Sequence, residues 1–184
     1  EARASLDPGI SLSIVDYTAF ETALQLFCFH FPVSCGKIGF MGVFSMSDCI
    51  VKILPADPFC RVPAGALRDA KTFLETHLRC DFVEMEANDT PVFVDCGANL
   101  ERISCPLCGA EIDFAWWGEV MDSASENAFA VLEAEMPCCQ KKVSLNDLNY
   151  DFPCGFACCF VSIFNPEQDV DDKLIGAVRD IWGV

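Results

Sequence analysis

Four cysteines carry the clearest chemistry in this sequence. Cys105 and Cys108 lie in Cys105-Pro106-Leu107-Cys108-Gly109, the pattern of a tight turn that aims two thiolates at one point. Zinc takes four nitrogen or sulfur ligands in a tetrahedron, so a second pair is required. Cys138 and Cys139, in Pro137-Cys138-Cys139, are the best candidates to supply it. Adjacent cysteines project in different directions along an extended chain, so both reach one metal only where the backbone turns. Pro137 before them and the polar run Gln140-Lys141-Lys142 after them predict such a turn. Cys154, Cys158 or Cys159 could replace one of the pair. Four thiolates close the coordination shell, which makes the expected zinc structural, with Lys141 and Lys142 offsetting its negative charge. With only three thiolates, a metal-bound catalytic water becomes available.

Other chemistry is thinner. A Cys-x-x-Cys pair can also work as a redox dithiol at the start of a helix, but Gly109 and the second cysteine pair downstream favour metal. Neither His30 nor His77 stands beside a serine or cysteine in a nucleophile motif, and His77 falls within a helical stripe. The chain has no GxGxxG, Walker A or HExxH motif. Asn146, Asp147, Asn149 and Asp151 offer oxygen ligands but lack the glycine and terminal glutamate of a calcium loop, and they read as a turn. Asp95, Glu101, Glu111 and Asp113 could pair as acid and base, or form a solvated acidic face.

The elements that must position these residues follow from pattern. A helix is predicted from Asp16, with Phe20, Leu24, Phe27 and Phe31 at helical spacing until Pro32 stops it. Cys49–Leu54 reads as a strand. Pro63 suits a helix start, and Leu67, Ala70, Leu74 and Leu78 form the buried stripe that follows. Residues 81–86 and 91–95 read as two strands joined by Ala87-Asn88-Asp89-Thr90 as a hairpin. Cys96-Gly97-Ala98-Asn99 is a turn that leads through Leu100–Ser104 into the first cysteine pair. Glu111–Phe114 is a short strand, and Trp117, Met121, Ala124 and Ala128 mark a helix between the two pairs. Trp116 and Trp117 point different ways, so one is expected to pack on this module, with an aromatic recognition surface as the alternative. Ala130–Met136 is a strand that delivers Cys138 and Cys139. Residues 144–155 are loop-like. Phe156–Phe164 is a continuous apolar run, read as a central buried strand. Asp169, Asp171 and Asp172 then favour the start of a last helix, with Val170, Leu174, Ala177 and Ile181 as its stripe.

The chain has 184 residues, 52% of them apolar and 22% charged, enough to bury a core. Its formal charge of -16 opposes binding to a phosphate backbone, which needs Lys and Arg, and suits a basic protein partner. Thirteen cysteines, an odd number and many in apolar runs, fit free thiols in a reducing cytoplasm better than a disulfide scaffold. The apolar stretch Leu26–Phe44 contains His30, Pro32, Lys37 and three glycines, so no membrane span is expected there. Met46-Ser47-Asp48 has the look of a chain start. Residues 1–45 are therefore read as an N-terminal extension or appendage, and 46–184 as the main domain; the alternative makes Met46 an ordinary core residue.

The ordered motifs Phe93-Val94-Asp95-Cys96-Gly97-Ala98-Asn99-Leu100-Glu101, Cys105-Pro106-x-Cys108-Gly109, Trp117, Met121-Asp122, Pro137-Cys138-Cys139, Ser144-Leu145-Asn146-Asp147-Leu148-x-Tyr150-Asp151, Gly155-Phe156-Ala157 and Asn165-Pro166 together resemble a group of small uncharacterised bacterial proteins with a zinc-ribbon-like element. The resemblance spans roughly Met46–Gly183. It implies Cys105, Cys108, Cys138 and Cys139 as metal ligands and brings no named activity. The sequence departs from that pattern at Gln140, where glycine is expected, and at Cys158, where a basic residue is expected. The combined expectation is an α+β fold, with a mixed or antiparallel sheet, packing helices and an inserted zinc-ribbon-like module at about residues 100–145. The expected function is a cytoplasmic zinc-binding protein acting as a protein-interaction or regulatory module. The alternatives are a zinc-dependent hydrolase with an open three-thiolate site near Asp95 or Glu101, and a nucleic-acid-binding zinc ribbon.

Overall fold

A computed structural model describes residues 10–16 and 49–184. Its sheet is built around the apolar run that begins at Gly155. This strand, Gly155–Phe164, has every residue but Phe164 buried, and Ser162 is its one polar side chain. A strand buried on both faces needs a partner on each edge and a layer on each face. The sheet that meets the edge requirement contains β1 (Ile10–Asp16), β2 (Cys49–Pro55), β3 (Phe82–Val94) and the run itself, β8. These strands lie in the order β1-β2-β8-β3. The predicted α+β class and central strand are both observed, and every pairing in the sheet is antiparallel.

One face of the sheet is covered by two helices. Helix α1 (Ala64–His77) follows Pro63, whose carbonyl accepts the Leu67 N–H, and turns Leu67, Ala70 and Leu74 inward as predicted. The second covering helix is Asp172–Trp182. Its cap is Asp171, which accepts the Leu174 N–H at 2.9 Å, and its stop is Gly183 in the left-handed region at φ 73°. The buried stripe of this helix is Ile175, Val178 and Trp182, one position round from the predicted Leu174, Ala177 and Ile181. These three join the main core, with Val170, Leu174 and Ile181 packed against it while partly buried.

The predicted hairpin at residues 87–90 does not form. β3 is one strand whose two halves both pair with β8, with a register shift between Ala87 and Val92. A hairpin would have taken residues 91–94 away from β8 and left its first residues unpaired. The bulge keeps them together, and the Arg61 guanidinium donates to the Asp89 carbonyl at the excursion.

Between β3 and β8 the chain builds a smaller module from β4 (Ile103–Ser104), α2 (Phe114–Glu126), β5 (Glu133–Glu135), β6 (Lys142–Ser144) and β7 (Asn149–Tyr150). β4 pairs with β7 and β5 with β6. Their core is Ile103, Ile112, Leu132, Met136, Val143, Leu145 and Leu148, with Phe156 of β8 packed into it. Asn146 fastens the module to the sheet: its side-chain oxygen accepts the Phe156 N–H at 2.9 Å and its amide donates to the Ala56 carbonyl. A Cβ at position 155 would sit 3.0 Å from that oxygen, a tighter contact than side chains ordinarily make, so a larger residue there would push against the Asn146 amide. Helix α2 begins at Asp113, which accepts the Ala115 N–H, so the strand predicted over 111–114 shrinks to a single bridge at Glu111. It ends before the predicted Ala128, because Ala128 and Phe129 turn left-handed and bring Phe129 onto the ring of Phe156 at 5.3 Å. The helix predicted over residues 16–31 lies outside the described residues, apart from Asp16, which closes β1.

β1 lies within residues 1–45 and pairs with β2 along its whole length. Removing residues 1–45 is expected to leave β2 as an unpaired edge, with a lower melting temperature and aggregation visible by light scattering. A soluble monomer that melts where the full chain does would show that β1 contributes nothing.

Candidate metal centre

The two cysteine segments are the same turn built twice. In the first, the Cys105 N–H donates to the Ala110 carbonyl and the Gly109 N–H to the Cys105 carbonyl, both at 2.9 Å. In the second, the Met136 N–H donates to the Lys141 carbonyl and the Gln140 N–H to the Met136 carbonyl, also at 2.9 Å. Each turn closes a short antiparallel pairing, Ser104 with Glu111 and Glu135 with Lys142. Cys105 thus corresponds to Met136, Pro106 to Pro137, Leu107 to Cys138, Cys108 to Cys139 and Gly109 to Gln140. Gly109 has φ 73° and Gln140 φ 56°, so both chains reverse through the left-handed region. The missing glycine noted in the sequence therefore falls where the backbone most favours one.

This correspondence explains how neighbouring cysteines share one site. The first position of the second turn holds Met136, fully buried in the module core. Cys138, at the third position, provides the sulfur in its place. The turn swings Cys138 and Cys139 to the same side, which an extended strand would forbid.

All four sulfurs lie within 4.8 Å of one another. Cys105 Sγ is 3.9 Å from Cys139 Sγ, and Cys108 Sγ is 3.3 Å from Cys138 Sγ. Four sulfurs about 2.3 Å from a zinc ion stand about 3.8 Å apart, so the spacing fits a tetrahedral metal ion with little movement. Burial pushes the Cys105 thiol up, but the N–H groups of Leu107 and Cys108 and the thiols of Cys108 and Cys138 outweigh it and bring it to about 7. Hydrogen bonding with Cys108 acts the other way on Cys138, which with burial and the other thiols is pushed up to about 12. Metal ligation requires the thiolate, so binding an ion here must release the proton that Cys138 holds.

No family model, curated protein or solved structure matches this chain. The other residues singled out in the sequence lie away from the four sulfurs. Cys158 and Cys159 lie within β8, where burial raises both thiols, and Cys154 is buried against Cys96. No disulfide joins any of the described cysteines. Asp95 accepts the Gly97 N–H and Asp113 caps α2, so each has a local structural role at the surface. Asn146 binds backbone, and Asp151 accepts the Glu101 N–H, so no oxygen cage forms from residues 146–151. His77 stacks on Phe73 with its Nδ1 2.8 Å from the Phe73 carbonyl. His30 lies outside the described residues. Trp116 and Trp117 both pack on the module core, and the Trp117 indole N–H donates to the Tyr150 hydroxyl. The four-cysteine group is the one such cluster found among the described residues.

Replacing Gln140 by glycine is expected to stabilise the protein by about 1 kcal/mol, by relieving a side chain from the left-handed region, and to raise the melting temperature by roughly 2–4 °C. An unchanged or lower value would mean that the Gln140 side chain gains something its backbone loses. The turn correspondence is checked by ligand exchange. Cys138→Ser is expected to weaken metal binding, and adding Met136→Cys to restore it, read by cobalt absorption; no restoration would break the correspondence.

Proposed function

We propose that the chain is a zinc-binding protein whose zinc, held by Cys105, Cys108, Cys138 and Cys139, is structural. The observation that supports this most is the meeting of four sulfurs from two turns within 4.8 Å. An all-sulfur donor set prefers soft or borderline ions to calcium or magnesium, and a tetrahedral one suits zinc. Four thiolates leave no position for a metal-bound water, which favours a structural over a hydrolytic role. Bound zinc would pin the tips of the two turns together, outside the module's apolar core: Pro106, Leu107, Pro137 and Cys138 are all exposed. The module then resembles a zinc ribbon, in keeping with the bacterial group its motifs resemble.

The wider role we infer is that of an interaction or regulatory module for a basic protein. Glu111, Asp113, Glu119, Asp122, Glu126, Glu133 and Glu135 are all exposed around the module. Lys142 lies 3.9 Å from Glu133, and such a surface pair adds little. A net charge of -16 favours basic partners and works against nucleic acid. Among the described residues no helix is long and apolar enough to cross a membrane.

Elemental analysis of untagged protein is expected to find one zinc per chain, with four thiols protected from a thiol reagent until the metal is chelated. Cys105→Ser is expected to lose both the zinc and the protection. Iron in place of zinc, or all four thiols reactive in the native protein, would overturn the reading.

A further inference from the structure

The four thiols fall into an inner and an outer pair, and each pair takes one sulfur from each turn. Cys105 is fully buried and meets the half-buried Cys139. Cys108 and Cys138 are both exposed, with their sulfurs 3.3 Å apart. The unequal turns produce this division. Had the second turn offered its first position, the ligand would lie in the core where Met136 lies; the third position instead sets Cys138 at the surface, beside Cys108. A small solute arriving from water reaches the outer sulfurs first, and they already touch.

We propose that Cys108 and Cys138 are a site of reversible oxidation by hydrogen peroxide or an organic hydroperoxide, and that their disulfide discharges the metal. The proposal rests on the zinc reading above. One outer sulfur attacks the peroxide: an S–O bond forms, the O–O bond breaks, and the leaving oxygen departs, once protonated, as water from hydrogen peroxide or as the alcohol from an organic hydroperoxide. The other outer sulfur attacks the resulting sulfenic acid; the S–S bond forms, the S–O bond breaks and water leaves. Two electrons have passed from the two sulfurs to the peroxide. Only Cys105 and Cys139 then remain as thiolates, and two sulfurs do not hold zinc against a chelator. A dithiol reductant breaks the S–S bond by exchange and returns the four-thiolate site.

Cys96 and Cys154 are the internal control. They are hydrogen-bonded thiols too, which lowers the Cys96 thiol, but both are buried between Phe93, Leu100, Tyr150 and Phe152. Contact alone would make them equal competitors, whereas access from solvent favours the outer pair.

The test uses the full chain with its metal content measured first. Hydrogen peroxide is added with a chromogenic chelator present, and the cysteine links are mapped by differential alkylation and mass spectrometry. The expected result is one zinc released per disulfide, a link between Cys108 and Cys138, unchanged behaviour in Cys96→Ser, and recovery of the site with dithiol and zinc. Zinc release without that link, or a link formed first at any other pair, overturns the proposal. If the purified protein holds no metal, the zinc reading falls on that measurement alone. The same mapping, with cobalt binding before and after oxidation, then decides the proposal: a 108–138 link that abolishes cobalt binding upholds it, and any other link, or binding that survives, sinks it.

Discussion

A strand such as β8, with no polar side chain except Ser162, is kept from water only if other parts of the chain pair both its edges and cover both its faces. That demand organises the molecule. β2 and β3 occupy the edges, the two helices with Leu67, Leu74, Val178 and Trp182 cover one face, and Leu54, Val94 and Phe160 cluster on the other. At the start of β8, Phe156 leaves the sheet's own core and enters that of the cysteine module. The module is therefore anchored by a hydrophobic contact and by the two-ended Asn146 amide, and its sulfurs are held in place from below.

Above that anchor the apolar contribution thins out. Cys105 and Met136 sit in the core, while the residues that follow them in each turn are at the surface. Short turns exposed to water have little hydrophobic stabilisation to fix them, and a metal bound by charged ligands supplies a different kind of constraint. The two turns reach the same shape with unlike sequences because hydrogen bonding sets the reversal: an N–H from the first residue forward, and an N–H from the fifth residue back. Side-chain identity then decides only which sulfur faces the shared point.

Much of this is legible in the amino-acid sequence, and where it is not the causes are physical. The four cysteines can be read because metal ligation restricts residue type and spacing more tightly than packing does. Gln140 is recognisable as a departure, and its positive φ shows why. The role of Met136 is hidden, since a buried methionine carries no signal that it stands where a cysteine would. A hairpin at Asn88-Asp89 is a fair reading of turn formers, but local preference gives way to pairing along the ten-residue strand β8. The stripe of the last helix falls one position away from its expected place because its apolar face is wide: Leu174 and Ile181 also pack against the core, so periodicity alone does not choose its centre. β1 escapes notice because Ile10–Asp16 is not set off by turn formers on both sides, and its pairing depends on a partner far along the chain.

The position of β8 in the sheet also bears on the order in which the chain can fold. Its two neighbours are made much earlier, and neither has a ladder to the other, so β2 and β3 wait through the synthesis of the whole cysteine module before the strand that joins them emerges. The module's own contacts are closer in sequence, which favours its early closure. Vectorial synthesis would thus form the module's turns and short ladders first, and β8 would then close the sheet and, through Phe156, fill the module's core at the same step.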